Sequence, residues 1–71
     1  MENDNRPPRV FVRTSRLSGV TRERTLHVYP RDVVSYQRGV AIQDCFPYLN
    51  ADDREFIMTG ITPDEWERAF K

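Results

Sequence analysis

The side-chain types of a thiol enzyme are all present in this chain: Cys45, His27 and Asp44. Such a site needs the base within about 3 Å of the sulfur and backbone donors for an oxyanion. Nothing in the spacing of these residues provides either. Cys45 stands beside Phe46, where a small buried side chain is expected. The neighbouring carboxylates Asp52 and Asp53 have the types for cation binding or acid–base work. They fall at a helix start, where acids complement the macrodipole, and no calcium-loop ligand series surrounds them. The three glycines, Gly19, Gly39 and Gly60, are scattered, so there is no phosphate-cradling loop. One cysteine and one histidine cannot complete a Cys/His zinc site within one chain. The expectation is a protein without catalysis, metal or cofactor.

The residues better suited to a function are arginines. Positions 1–40 carry eight of them (6, 9, 13, 16, 22, 24, 31 and 38) against four acids. Positions 41–71 reverse the balance, with three basic residues against seven acids, and the whole chain is neutral. Arginine makes planar bidentate contacts with carboxylates and phosphates and stacks on aromatic rings, as lysine does poorly. Arg9, Arg13, Arg16, Arg22 and Arg24 cluster in one short region, interleaved with Phe11, His27 and Tyr29, and few have an acid nearby in sequence. Arginines on phosphates with aromatics on bases would suit a single-stranded nucleic acid. Overall neutrality opposes that reading, because dedicated binders are strongly basic. A protein partner fits better, with Arg9, Phe11, Arg13, Arg16, Arg22, Arg24, Tyr29 and Tyr36 as contact candidates. Trp66 and Phe70 are expected in the core.

The elements that would hold these residues can be read along the chain. Residues 1–8 form a polar tail, expected to be disordered, and 9–71 a single small domain. Arg9–Arg13 and Arg24–Tyr29 are strands of an antiparallel hairpin, with a turn at Gly19. Phe11 lies on one face between two arginines, with Val10 and Val12 on the other. A helix over 31–38 stops at Gly39, with Val33, Val34 and Tyr36 as its inward residues. One further turn falls within 40–45 and breaks at Phe46-Pro47. Asn50 caps a helix to Thr59, with Phe56 and Ile57 facing the core, and Gly60 ends it. Thr62-Pro63-Asp64-Glu65 has the pattern of a capping box with proline at the first helical position. The last helix then runs to about Phe70, with Trp66, Ala69 and Phe70 along one apolar stripe. The fold class is therefore α+β: an N-terminal β-hairpin packed on two or three short C-terminal helices.

A chain of 71 residues builds only a marginal core. With no intrachain disulfide available, self-association as a homodimer is the expected extra stabilisation. No apolar run approaches the length of a membrane span. The polar N-terminus has no signal-peptide core, and an unpaired cysteine suits a reducing compartment. The chain is read as cytoplasmic, with no membrane partner.

The segment Ile42-Gln43-Asp44-Cys45-Phe46-Pro47-Tyr48-Leu49, then Arg54-Glu55-Phe56, then Gly60-Ile61-Thr62-Pro63-Asp64-Glu65-Trp66 resembles a class of small phage-encoded proteins. Its members share an I-Q-D-x-F-P-x-L … R-E-F … G-x-x-P-x-x-W pattern and have no assigned activity. The likeness covers about residues 36–70 and transfers no site residues. It implies a phage protein acting in the bacterial host cytoplasm. By analogy, it implies an inhibitor or modulator of a host defence, replication or transcription protein. The alternative, a nucleic-acid or nucleotide binder, rests on the arginine-rich hairpin and not on this likeness.

Overall fold

The computed structural model describes residues 5–70. It is an α+β fold, with strands β1 (Pro8–Thr14) and β2 (Thr21–His27) followed by four helices. These are α1 (Pro30–Gln37), α2 (Ile42–Cys45), α3 (Ala51–Thr59) and α4 (Pro63–Ala69). The strands pair antiparallel in continuous register, Phe11 opposite Arg24 and Arg13 opposite Arg22. One hairpin face therefore carries Arg9, Phe11 and Arg13 beside Arg22, Arg24 and Leu26. That face holds the buried Phe11 and Leu26, while Val10 and Val12 on the other face remain about half exposed.

Of the expected tail, residues 1–4 lie outside the described residues. The ordered chain starts before position 9. The Pro7 carbonyl accepts from the Val28 N–H at 3.1 Å, and Pro8 opens β1. Proline is excluded from central strands, but both strands of a two-stranded sheet are edges, so its missing N–H costs nothing here.

The core joins the inner hairpin face to the helices: Phe11, Leu26, Val28, Val33, Ile42, Cys45, Phe46, Leu49, Phe56 and Ile57. Phe46 and Phe56 are essentially fully buried. In α1, Val33 points inward and Tyr36 packs against Phe46 with centroids 6.0 Å apart. Val34, expected inward, is exposed. Successive helical residues point about 100° apart, so one narrow contact cannot bury both valines. α3 begins and ends as its sequence indicates. The Asn50 side chain accepts from the Asp53 N–H at 2.8 Å, and Gly60 adopts the left-handed conformation at φ 73°.

Candidate interaction surface

The hairpin arginines are the first place to look, and the tertiary structure gives most of them partners. Arg24 Nη1 donates to Asp53 Oδ1 at 2.9 Å, in the first turn of α3, and its guanidinium lies 4.8 Å from the Phe56 ring centroid. At the other end of the same helix, Arg13 Nε donates to the Ile57 carbonyl at 2.8 Å and Nη1 to the Val12 carbonyl at 2.9 Å. α3 has no basic residue in its own last turn. Arg13 thus brings a cation to the negative end of the helix dipole, while Asp53 sits at the positive end. Both arginines tie the hairpin down on α3. Phe11 between them is core, with Arg9 and Arg13 stacked 5.7 and 5.4 Å from its ring.

Arg22 reaches α4, where Nη1 lies 2.6 Å from Glu65 Oε2. Glu65 is buried, the one such residue in α4, and its carboxylate is held from several sides. Ser15 Oγ donates to Oε1 at 2.7 Å, Ser18 Oγ donates to Oε2, and the Thr62 N–H closes the capping box. The hydroxyls of Ser18 and Ser15, then Arg22 and the Thr62 N–H, stabilise the anion against the opposing effect of desolvation. They hold its pKa down to about 2. This cluster joins the hairpin turn to α4.

The Glu65 anchor changes the orientation expected for α4. With Glu65 inward, Trp66 turns away by about 100°. Trp66 and Phe70 are therefore 41% and 69% exposed rather than in the core. A buried carboxylate must keep its donors, and they lie on the hairpin turn, so the ion cluster and not the aromatic stripe sets the rotation of the helix. The two rings stack on each other with centroids 4.8 Å apart and planes 25° apart.

The remaining candidates are dispersed. The Arg16 N–H donates to the Thr59 carbonyl at 3.1 Å, and the residue is exposed. Tyr29 is half-buried, edge-on to Tyr48 at 5.7 Å and covered by Arg31 at 4.7 Å. Tyr36 is half-buried on Phe46. The Tyr48 hydroxyl accepts from the Tyr29 N–H and donates to Asp32 at 2.8 Å. Burial first, then the neighbouring Asp32 carboxylate, pushes its pKa up to about 12. Cys45 is buried and its Sγ is 3.6 Å from the Val40 carbonyl. Burial and the charges of Asp32 and Asp44 raise the pKa of its thiol. His27 is exposed on β2. Among the described residues, no group of three His, Cys, Asp or Glu side chains is placed to hold a metal ion. No helix there is long and apolar enough to cross a membrane.

Two shallow grooves flank β2. Leu17, Val20, Arg22, Glu65, Arg68 and Ala69 line one of about 300 Å³ near the hairpin turn. The other, of about 320 Å³, runs past Thr25, Leu26 and His27 to Tyr48, Asn50 and Asp53. Sequence reasoning missed the exposed Trp66–Phe70 pair. No local signal marked it: the capping box places Glu65 at the start of α4, but the groups that bury its carboxylate come from Ser15, Ser18 and Arg22 on the hairpin.

Comparison of the chain with protein-family models, curated proteins and solved structures finds no match.

Proposed function

We propose that this chain is a non-enzymatic protein-binding domain whose contact surface is centred on α4. The observation that carries this reading is the stacked, solvent-facing Trp66–Phe70 pair. Large aromatics cost least when removed from water, and tryptophan is enriched among residues that dominate binding energy. A small domain that leaves its only tryptophan half exposed, while burying a glutamate beside it, keeps apolar area available for a partner. The motif resemblance of residues 36–70 extends the proposal to a phage-encoded inhibitor or modulator of a host defence, replication or transcription protein, acting in the bacterial cytoplasm.

The nucleic-acid alternative has less support than the sequence suggested. Arg22 and Arg24 are neutralised by Glu65 and Asp53, and Arg13 is spent on backbone carbonyls. The test is affinity capture from a bacterial host, with Trp66→Ala and Phe70→Ala as matched baits. A protein retained by the parent and lost from both variants, with their melting curves preserved, supports the reading. A co-purifying nucleic acid, released steeply by salt, overturns it. Sedimentation of the parent and of Trp66→Ala distinguishes a second copy from a foreign partner on the same rings.

A further inference from the structure

The hairpin is a sheet of only two strands, and its two open edges are not equivalent. The Val28 N–H donates to Pro7 and the Ser15 N–H to Val20, which fixes the phase of the ladder. Facing residues in an antiparallel pair alternate between exchanging hydrogen bonds and directing them outward. The pairs Val10–Thr25, Val12–Glu23 and Thr14–Thr21 are therefore of the outward kind. On β1 this edge is covered at three places, while the Val10 groups and the Val12 N–H have no hydrogen-bond partner among the described residues. Pro8 has no N–H, Arg13 covers the Val12 carbonyl, and the Thr14 carbonyl lies against Gly60. On β2, no hydrogen bond among the described residues takes up the outward groups of Thr21, Glu23 and Thr25. β2 contains no proline and no break in register. Both grooves lie along β2, one at each end, and neither is lined by a residue of β1.

We infer that β2 is a docking edge that accepts an extended segment of a different protein as a third strand of the sheet. A second copy of β2 is the poorer occupant. Antiparallel self-pairing over the whole strand sets Arg24 on Arg24, and the registers centred on Glu23 and Arg22 set Glu23 on Glu23 with Arg22 on Arg24, or Arg22 on Arg22; like charges directly opposite are destabilising. The register centred on Thr25 avoids this but pairs only residues 23–27 and stops short of the groove at the hairpin turn. A foreign strand avoids this if it carries a base opposite Glu23 and a carboxylate toward the hairpin turn. There Arg68 lines the groove, and among the described residues it has no ion-pair partner within 4.0 Å. Leu17, Val20 and Ala69 offer an apolar seat beside it for one side chain of the incoming strand. Backbone hydrogen bonds would supply affinity, and the groove and charges specificity.

This inference rests on the protein-binding reading, but its test does not need the host partner. The probe is a synthetic peptide as long as β2, alternating valine and threonine, with one lysine placed to face Glu23 and one glutamate placed to face Arg68. Amide hydrogen exchange is followed by NMR with the peptide at about 1 mM. The expected result is exchange slowed about tenfold or more at Thr21, Glu23 and Thr25, with Val10 and Val12 unchanged. Glu23→Pro removes the central outward donor of β2, and Val12→Pro the equivalent donor of β1. Glu23→Gln controls for the charge. Only Glu23→Pro should abolish the protection, and Arg68→Ala should weaken it. No protection at β2, or equal protection on both edges, overturns the inference, and the exchange data on the parent decide this even if a proline variant fails to fold. The capture experiment with Trp66→Ala is unaffected by that outcome, so the two readings fail separately.

Discussion

Replacing Gly60 by alanine tests how tightly the turn between α3 and α4 is pressed onto the hairpin. Two costs can be worked from the structure. The first is conformational: at φ 73° an alanine pays about 1–2 kcal/mol for the left-handed region. The second is steric. A Cβ at Gly60 would lie 2.9 Å from both the carbonyl carbon and oxygen of Thr14 and 3.0 Å from the Ser15 nitrogen. Relaxed carbon contacts lie at about 3.5–4.0 Å, so two backbones would have to separate by about half an ångström or more. Neither side gives easily. The Gly60 N–H is bonded to Phe56 at 2.8 Å and the Arg16 N–H to Thr59 at 3.1 Å. Overpacking of this kind costs about 1–3 kcal/mol, for a total of about 2–5 kcal/mol. Gly19 supplies the control, with a similar φ of 78° and nothing within 4 Å of its virtual Cβ. Gly19→Ala should show the conformational cost alone. In thermal melts of a domain this small, each kcal/mol is worth about 4–8 °C. Gly60→Ala should therefore fall well below Gly19→Ala. Equal melting temperatures would refute the close approach of the turn to β1.

Other expectations follow from the same contacts. Phe56→Ala should cost about 3–5 kcal/mol in urea unfolding, much of the total for a chain this size. Trp66→Ala should cost only about 1 kcal/mol because its ring is already half in water; a larger loss would mean that the ring is core after all. The Glu65 carboxylate is held near pKa 2, below its ordinary 4.5. Its contribution to stability is therefore complete above about pH 4.5 and lost as the pH falls from there toward 2. Melting temperature measured between those limits should drop, and Glu65→Gln should flatten that drop. Arg24→Glu places an acid against Asp53 and should destabilise the fold. A double-mutant cycle on Arg24 and Asp53 should return a coupling of about 0.5–1 kcal/mol, modest because both side chains are partly exposed.

Local chemistry was legible in the sequence. Asn50 and Gly60 bound α3 where the capping residue and the left-handed glycine require, and the Thr62–Glu65 capping box starts α4 as its spacing indicates. The hairpin with Phe11 on its arginine-bearing face follows from two-residue alternation. The caps depend on neighbours within about four positions and the face alternation on the two-residue period of a strand, so both can be read from the chain itself, while the hairpin pairs partners 7 to 19 positions apart. What the tertiary structure alone decided is which charges meet and which face of α4 is buried. Arg22 finds Glu65 43 residues away, and Arg24 finds Asp53 29 residues away. Glu23 adjoins both arginines in sequence but points to the opposite face of the strand, so the two become ties between hairpin and helices. Glu65 collects donors from Ser15 and Ser18, across the whole domain. Desolvating a carboxylate without those donors would cost more than exposing two aromatic rings. The helix therefore turns its charge inward and its Trp66–Phe70 pair out to solvent.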